Sequence, residues 1–275
     1  MSRLLNTTRC CALLALLAVA ATAVHAGRSC EARPPEATSV MRALQLAERT
    51  AAALDASGAQ VVVLARTGQD LRKYGLRWSH LGFAYRESGG DTAADGSSTA
   101  GVWRVVHKLN ACGSATGDIY RQGLGDFFMD DLFRFEGAMA IPAPALQAAL
   151  LPLLRDNQRV AQLHQAAYSM VAYPWAVTYQ QSNQWAVETL AMAQEPGITS
   201  RERAQAWLQF KGYEPTVLHL NAMTRLGARM TAANVAFDDH PNDKRFSDRI
   251  ETTTVDSVFA WLQRSGLASA PRVMR

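Results

Sequence analysis

The chain has 275 residues, with 28 Lys and Arg against 24 Asp and Glu, for a formal charge of +4. That excess is too weak to argue for a nucleic-acid partner or an anionic membrane. The length suffices for one large domain with a proper core.

In chain order, residues 1–26 come first. Arg3 and Arg9 precede the apolar run "CCALLALLAVAATAV", and "VHA" at Val24–Ala26 offers small residues for cleavage. This is the pattern of a secretory leader. The run falls short of the ~18 apolar residues that a membrane anchor needs, and no lipobox precedes a cysteine. The mature chain is expected to start at Gly27 as a single domain over 27–275, periplasmic or secreted. No later segment is apolar enough to span a bilayer. Less the two leader arginines, the charge of +4 becomes +2. Of the four cysteines, Cys10 and Cys11 leave with the leader. Cys30 and Cys112 remain, and in an oxidising compartment they are expected to form one disulfide tying the new N-terminus to the domain body. Zinc takes four ligands and no CxxC is present, so no metal and no cofactor is expected.

Residues 38–56 have Val40, Leu44, Ala47 and Ala51 at helical spacing behind a Thr38 or Ser39 cap. Strands are expected over 60–68 ("QVVVLARTG"), 77–87 ("RWSHLGFAYRE"), 101–110 ("GVWRVVHKLN") and 134–142 ("RFEGAMAIP"). Between the second and third lies the Gly/Ser/Asp-rich "SGGDTAADGSSTAG", a hairpin loop. Helices are expected over 143–156 and 157–172, with Pro152 breaking or kinking the run. An aromatic loop, "YPWAVTYQQ", leads to a helix over 182–194. The next helix, "TSRERAQAWLQFKG", has a Thr199–Glu202 capping box and a terminal Gly212. The last segment is an alternating strand passing into a helix capped by Asp256. Strands first, helices after and a late strand describe an α+β fold, an antiparallel sheet packed against helices.

His80 is the residue most in need of explanation. Trp78, His80, Gly82 and Ala84 share one strand face, and Gly82 leaves space beside the imidazole. Trp103, Val105, His107 and Leu109 share a face of the following strand. Antiparallel pairing would bring His80 and His107 together, as a general base with an orienting partner. The alternative is a buried histidine bonded to backbone or water. Acid-rich "DDLFRFE" (Asp130, Asp131, Glu136) reads as solvated or capping. "FDDHPNDKRF", with Asp238, Asp239, His240 and Asp243, could hold a divalent ion but reads better as a turn. Cys112 lacks the helical setting of a nucleophile. The aromatic residues Tyr173, Trp175, Tyr179 and Trp185 line either a groove or the core.

The motifs "YGLRWSHLGFAYR", "WRVVHKLNACG", "QGLGDFFMDDLFRFE" and "YQQSNQWAVE" resemble a bacterial family known as domain-of-unknown-function family 2145, over almost the whole mature chain. The order of a His strand, a second polar strand residue and a later helix is also similar to permuted papain-like folds. These are the NlpC-type peptidases and the lecithin retinol acyltransferases. That resemblance implies a permuted papain-like (NlpC-type) core with His80 as base, His107 as orienter and the nucleophile at the start of the 182–194 helix. Those families carry cysteine there; this chain has Ser182, or Asn183 in the other alignment. Ser182 is either a nucleophile dependent on His80 or a helix cap. The resemblance implies a cleft in which Trp78, Tyr179, Asn183, Gln184 and Trp185 contact ligand, with Tyr179 or Gln184 near an oxyanion. Three functions stay open: a binding cleft for an envelope peptide, glycan or lipid, an amide or ester hydrolase or acyltransferase, or a structural factor of the envelope.

Overall fold

The computed structural model describes residues 35–87, 101–130 and 132–275. The expected leader, Cys30, Asp131 and all but the last residue of the Gly/Ser/Asp-rich stretch lie outside the described residues. Helix α1 (Ala37–Ser57) leads into strands β1 (Val61–Thr67), β2 (His80–Arg86), β3 (Trp103–Asn110) and β4 (Gly117–Gly123). After helix α2 (Leu124–Phe128) and strand β5 (Arg134–Ala140) come helices α3 (Pro144–Arg155), α4 (Asn157–Ala161), α5 (Ser182–Gln194) and α6 (Arg201–Phe210). The chain ends with β6 (Thr216–His219), α7 (Ala222–Thr231), α8 (Asn242–Phe246), β7 (Arg249–Thr252), α9 (Val255–Arg264) and β8 (Arg272–Met274).

The main sheet has the order β4-β3-β2-β1-β5-β8, and every neighbouring pair is antiparallel. β6 and β7 form a separate antiparallel pair. The fold is therefore α+β, an antiparallel sheet packed with helices. Successive strand residues alternate between faces, so each face has its own core. Val62, Leu64, Ala84, Trp103 and Val105 pack with Leu46 and Leu54 of α1 and Phe127 and Phe128 of α2. Val61, Val63, Leu81, Phe83 and Val106 pack on the other face, with α3, α5 and α9. A third cluster, Leu218, Leu220, Phe237 and Ile250, sits around the β6–β7 pair.

Several local expectations are corrected. The buried stripe of α1 is Ala43, Leu46, Ala47, Thr50 and Leu54, rotated from the expected one, and Leu44 is exposed. Pro152 lies inside α3 without ending it. Helix α3 stops at Asp156, whose carboxylate caps α4 through the Gln158 and Arg159 amides. The helix expected over 157–172 lasts only to Ala161, because residues 166–168 pair with the backbone of 115–117 instead. Ser200, not Thr199, caps α6, and Thr254, not Asp256, caps α9. Gly212 does take the left-handed conformation, with φ of 67°.

Candidate functional site

His80 is the first residue of β2 and belongs to the face that α1 and α2 cover, as its contact with Phe127 shows (ring centroids 6.0 Å apart). The entry to the strand is pinned. The Arg77 and Trp78 amides donate to the two carboxylate oxygens of Asp256 at 3.3 Å. Ser79 Oγ accepts from the Gly68 amide at 2.7 Å and donates to the Arg66 carbonyl at 3.3 Å. Asp256 thus positions the His80 segment rather than a helix end.

Gly82 has a different role from the expected one. A Cβ at that position would stand 2.9 Å from both His107 Cβ and Val105 Cγ1. The glycine lets β3 side chains lean across β2, and the His107 ring reaches His80. His80 Nε2 and His107 Nδ1 are 2.8 Å apart, and His107 Nε2 is 2.8 Å from Gln122 Oε1 on β4. The amide oxygen can only accept, so His107 Nε2 carries the proton. Burial holds His107 down at about 4, aided by the charge of Arg66. His80 is held well below its usual value by burial, then by Arg66 and His107. Both rings are neutral at neutral pH. His107 Nδ1 therefore accepts from His80 Nε2–H, and His80 Nδ1 is left with a lone pair. Three adjacent strands fix one tautomer and present one acceptor.

Arg66 lies on the same face, 2% exposed, with its guanidinium 4.8 Å from the Phe127 ring centroid. It donates to the Phe127 carbonyl and ion-pairs with Asp130.

Helix α5 packs on the opposite face, with Trp185 against Phe83 (ring centroids 5.9 Å apart). Its N-cap is Gln181, whose side chain accepts from the Asn183 amide at 3.1 Å. Gln181 Nε2 also donates to Thr252 Oγ1 at 3.0 Å and to the Thr253 carbonyl. Ser182 is the first helical residue and does not cap. Its Oγ lies 3.3 Å from Tyr168 OH, and burial raises the phenol so that it keeps its proton. Among the described residues no hydrogen bond joins His80 to Ser182 or Asn183.

One cavity of about 570 Å³ reaches both residues around the end of the sheet. Its polar lining includes Arg66, His80, Asn110, Gln181, Ser182 and Asn183. Its apolar lining, Leu76, Val171, Leu218, Leu220, Val235 and Phe237, belongs to the third hydrophobic cluster. Of the residues expected at the site, Trp78, His80, Ser182 and Asn183 line this cavity, and His107 stands one hydrogen bond behind; Cys112, expected only in a disulfide, lines it too. Tyr179, Gln184 and Trp185 do not. Trp185 is fully buried in the core, and Gln184 Nε2 donates to the Tyr173 and Pro174 carbonyls at 3.3 Å. Tyr179 donates to Asp238 at 3.2 Å. Among the described residues no cluster of three metal-ligating side chains occurs. His240 bonds the Asp239 carboxylate and the Glu251 carbonyl, each at 2.9 Å, and Glu136 pairs with Arg77 at 3.0 Å.

Arg66, Gln122, Tyr168, Gln181 and the Leu218–Phe237 wall carry the site without having been read from the sequence. Only Gln122 left a signal: it alternates with Tyr120 in a polar stretch between two glycines.

The fold and cavity define an α+β protein with a mixed polar and apolar pocket whose wall includes His80, hydrogen-bonded to His107. The chain belongs to DUF2145, a family described as uncharacterised proteins conserved in bacteria, whose family model matches residues 53–262. No curated protein and no solved structure matches it.

Proposed function

We propose that this protein is a binding protein of the bacterial envelope, taking a small amphiphilic ligand without turning it over. The observation that carries this is the cavity itself. Its volume lies in the range of small-molecule sites, about 300–1,000 Å³, and its lining joins polar side chains to one hydrophobic cluster. An apolar portion of the ligand packs between Leu220 and Phe237, and a hydrogen-bond donor meets His80 Nδ1. The separation of His80 and Ser182 on opposite faces of the sheet argues against their acting as base and nucleophile. A serine at a helix start cannot approach ionisation without a base. The catalytic alternative, an amide or ester hydrolase or acyltransferase with His80 as base and Ser182 as nucleophile, rests on their sharing one cavity.

The probe is 1-anilinonaphthalene-8-sulfonate, an amphiphile with an N–H donor. It should bind in a saturable, single-site manner, and Ala228→Trp, which fills the cavity from a helix with no buried residue, should abolish that binding. Unsaturable binding, or binding untouched by Ala228→Trp in a folded protein, would refute the reading.

The envelope location rests on the leader pattern. Export with cleavage after Ala26 is checked by N-terminal sequencing of the mature protein; a cytoplasmic chain still starting at Met1 would contradict it. Pairing of Cys30 with Cys112 would close a loop of about 80 residues and stabilise by roughly 4 kcal/mol in the chain-entropy model. Non-reducing mass spectrometry of periplasmic protein reads that bond directly.

A further inference from the structure

We infer that α7 docks on an anionic lipid surface and that the cavity behind it takes the acyl chain of an amphiphile drawn from that surface. This rests on the binding reading above and names its ligand class. Helix α7, "AMTRLGARMT", is capped by Asn221, whose side chain accepts from the Thr224 amide at 2.9 Å, yet it buries none of its residues. An amphipathic helix of a globular protein ordinarily turns its apolar stripe inward. Here the small residues Thr224 and Ala228 line the cavity. Met223, Leu226 and Met230 share the other side at spacings of three and four, and they are 76%, 53% and 62% exposed.

The patch extends beyond the helix. Asp248 ion-pairs with Arg225 at 2.6 Å, which ties the end of α8 to α7. Phe246, two residues earlier, is 71% exposed. The small net charge of the chain gives no general attraction to lipid; the attraction is local. Helix α7 has no acid, and of its two arginines Arg225 is taken up by Asp248, which leaves Arg229. Among the described residues Arg229 and the nearby exposed Arg249 form no ion pair. An apolar stripe with cationic side chains at its rim is the pattern of a helix lying in a lipid interface. A second copy of the chain would cover the stripe equally well. It would not account for an apolar chamber directly behind the helix, which lipid supplies with both a surface and a chain to fill it.

The test uses the mature chain, vesicles with and without phosphatidylglycerol, and dansyl-undecanoic acid as acyl probe. Wild type should co-sediment with the anionic vesicles. Met223→Gln/Leu226→Gln/Met230→Gln, which keeps good helix formers and disturbs no buried residue, should bind about tenfold more weakly with an unchanged Tm. Ala228→Trp should still bind vesicles and lose uptake of the acyl probe. Wild type remaining in the supernatant, or the triple variant pelleting equally, overturns the docking. So does a wild-type dimer in sedimentation that the triple variant lacks, since a second copy then covers the stripe. Vesicle binding without acyl uptake overturns the ligand class. Either failure alongside intact single-site binding of the naphthalene sulfonate strikes this inference alone and leaves the binding reading standing.

Discussion

His107 and Lys108 are neighbours on β3 and begin two buried polar systems on opposite faces of one sheet. Lys108 Nζ donates to Gln180 Oε1 at 2.9 Å and to the Gln165 carbonyl. Gln180 Nε2 donates to Glu188 at 2.6 Å, and Glu188 also accepts from Arg201 at 2.8 and 3.1 Å and from Gln205 at 2.9 Å. This system contains a buried ion pair and closes on itself, and burial pushes the Lys108 ammonium down to about 7. The His107 system is neutral, runs across three strands and ends on a lone pair at the cavity wall. A buried polar network whose members are all satisfied rigidifies and specifies a core. One side of the sheet thus carries a self-contained polar core, and the other a chain of hydrogen bonds that ends on His80, a residue of the cavity wall.

The largest expected effect breaks the closed side. Glu188→Ala leaves the Arg201 charge buried without its partner and should cost about 3–5 kcal/mol in urea unfolding. The affinity of the folded fraction for the naphthalene sulfonate should be unchanged. A large loss of affinity at full folding would mean that the two systems are one.

Next comes acid. The folded value of His107 lies near 4, below the usual 6.5 of the unfolded chain. Between those pH values the unfolded chain binds a proton that the folded one refuses, so stability is fully present above pH 6.5 and falls as pH drops toward 4. The loss should approach about 3 kcal/mol. His80 is shifted in the same direction, so His107→Gln should remove only the His107 share and make that part of the pH–stability curve shallower; a curve unchanged by the substitution contradicts the assignment.

Gly82→Ala sharpens the contact between the strands. Its Cβ meets β3 side chains at 2.9 Å, so overpacking should cost about 1–3 kcal/mol and move the His80 ring. Histidine ring signals in NMR should shift at both positions.

How far these residues could be read from sequence depended on what each signal encodes. Helix α5 was legible to the residue, because polar "QQSNQ" meets an apolar run at its start and "EPG" stops it. The pairing of His80 with His107 was also legible, because alternation fixes which residues share a face. Alternation does not say which face a later helix will cover, so Ser182 was expected beside His80 and lies across the sheet. β4 leaves no strand signal, because it is a polar edge strand with only Gly117 buried. Caps read at Thr199 and Asp256 were each misplaced, since hydroxyls and carboxylates crowd both helix starts and tertiary partners decide between them. The apolar wall from Leu218 to Phe237 has no strong period, and the stripe of α7 faces outward, so nothing in the pattern marked it as the roof of a cavity.

The smallest effect separates cap from site. Gln181→Ala removes the α5 cap and its two bonds to the Thr252–Thr253 strand end and should cost about 1–2 kcal/mol. Ser182→Ala loses one hydrogen bond to Tyr168 and should cost about 0.5–1 kcal/mol. Equal or reversed costs, measured by denaturant unfolding, would return the capping role to Ser182.

If His80 serves a ligand, it does not activate Ser182. Ser182→Cys tests it directly, because the helix start alone lowers a thiol somewhat, while activation by a base would add dependence on His80. The rate of alkylation by iodoacetamide at pH 7 is measured in Ser182→Cys and in the double variant with His80→Ala. Equal rates are expected in the two. Rapid labelling that disappears with His80 would contradict it and make the cavity a catalytic one.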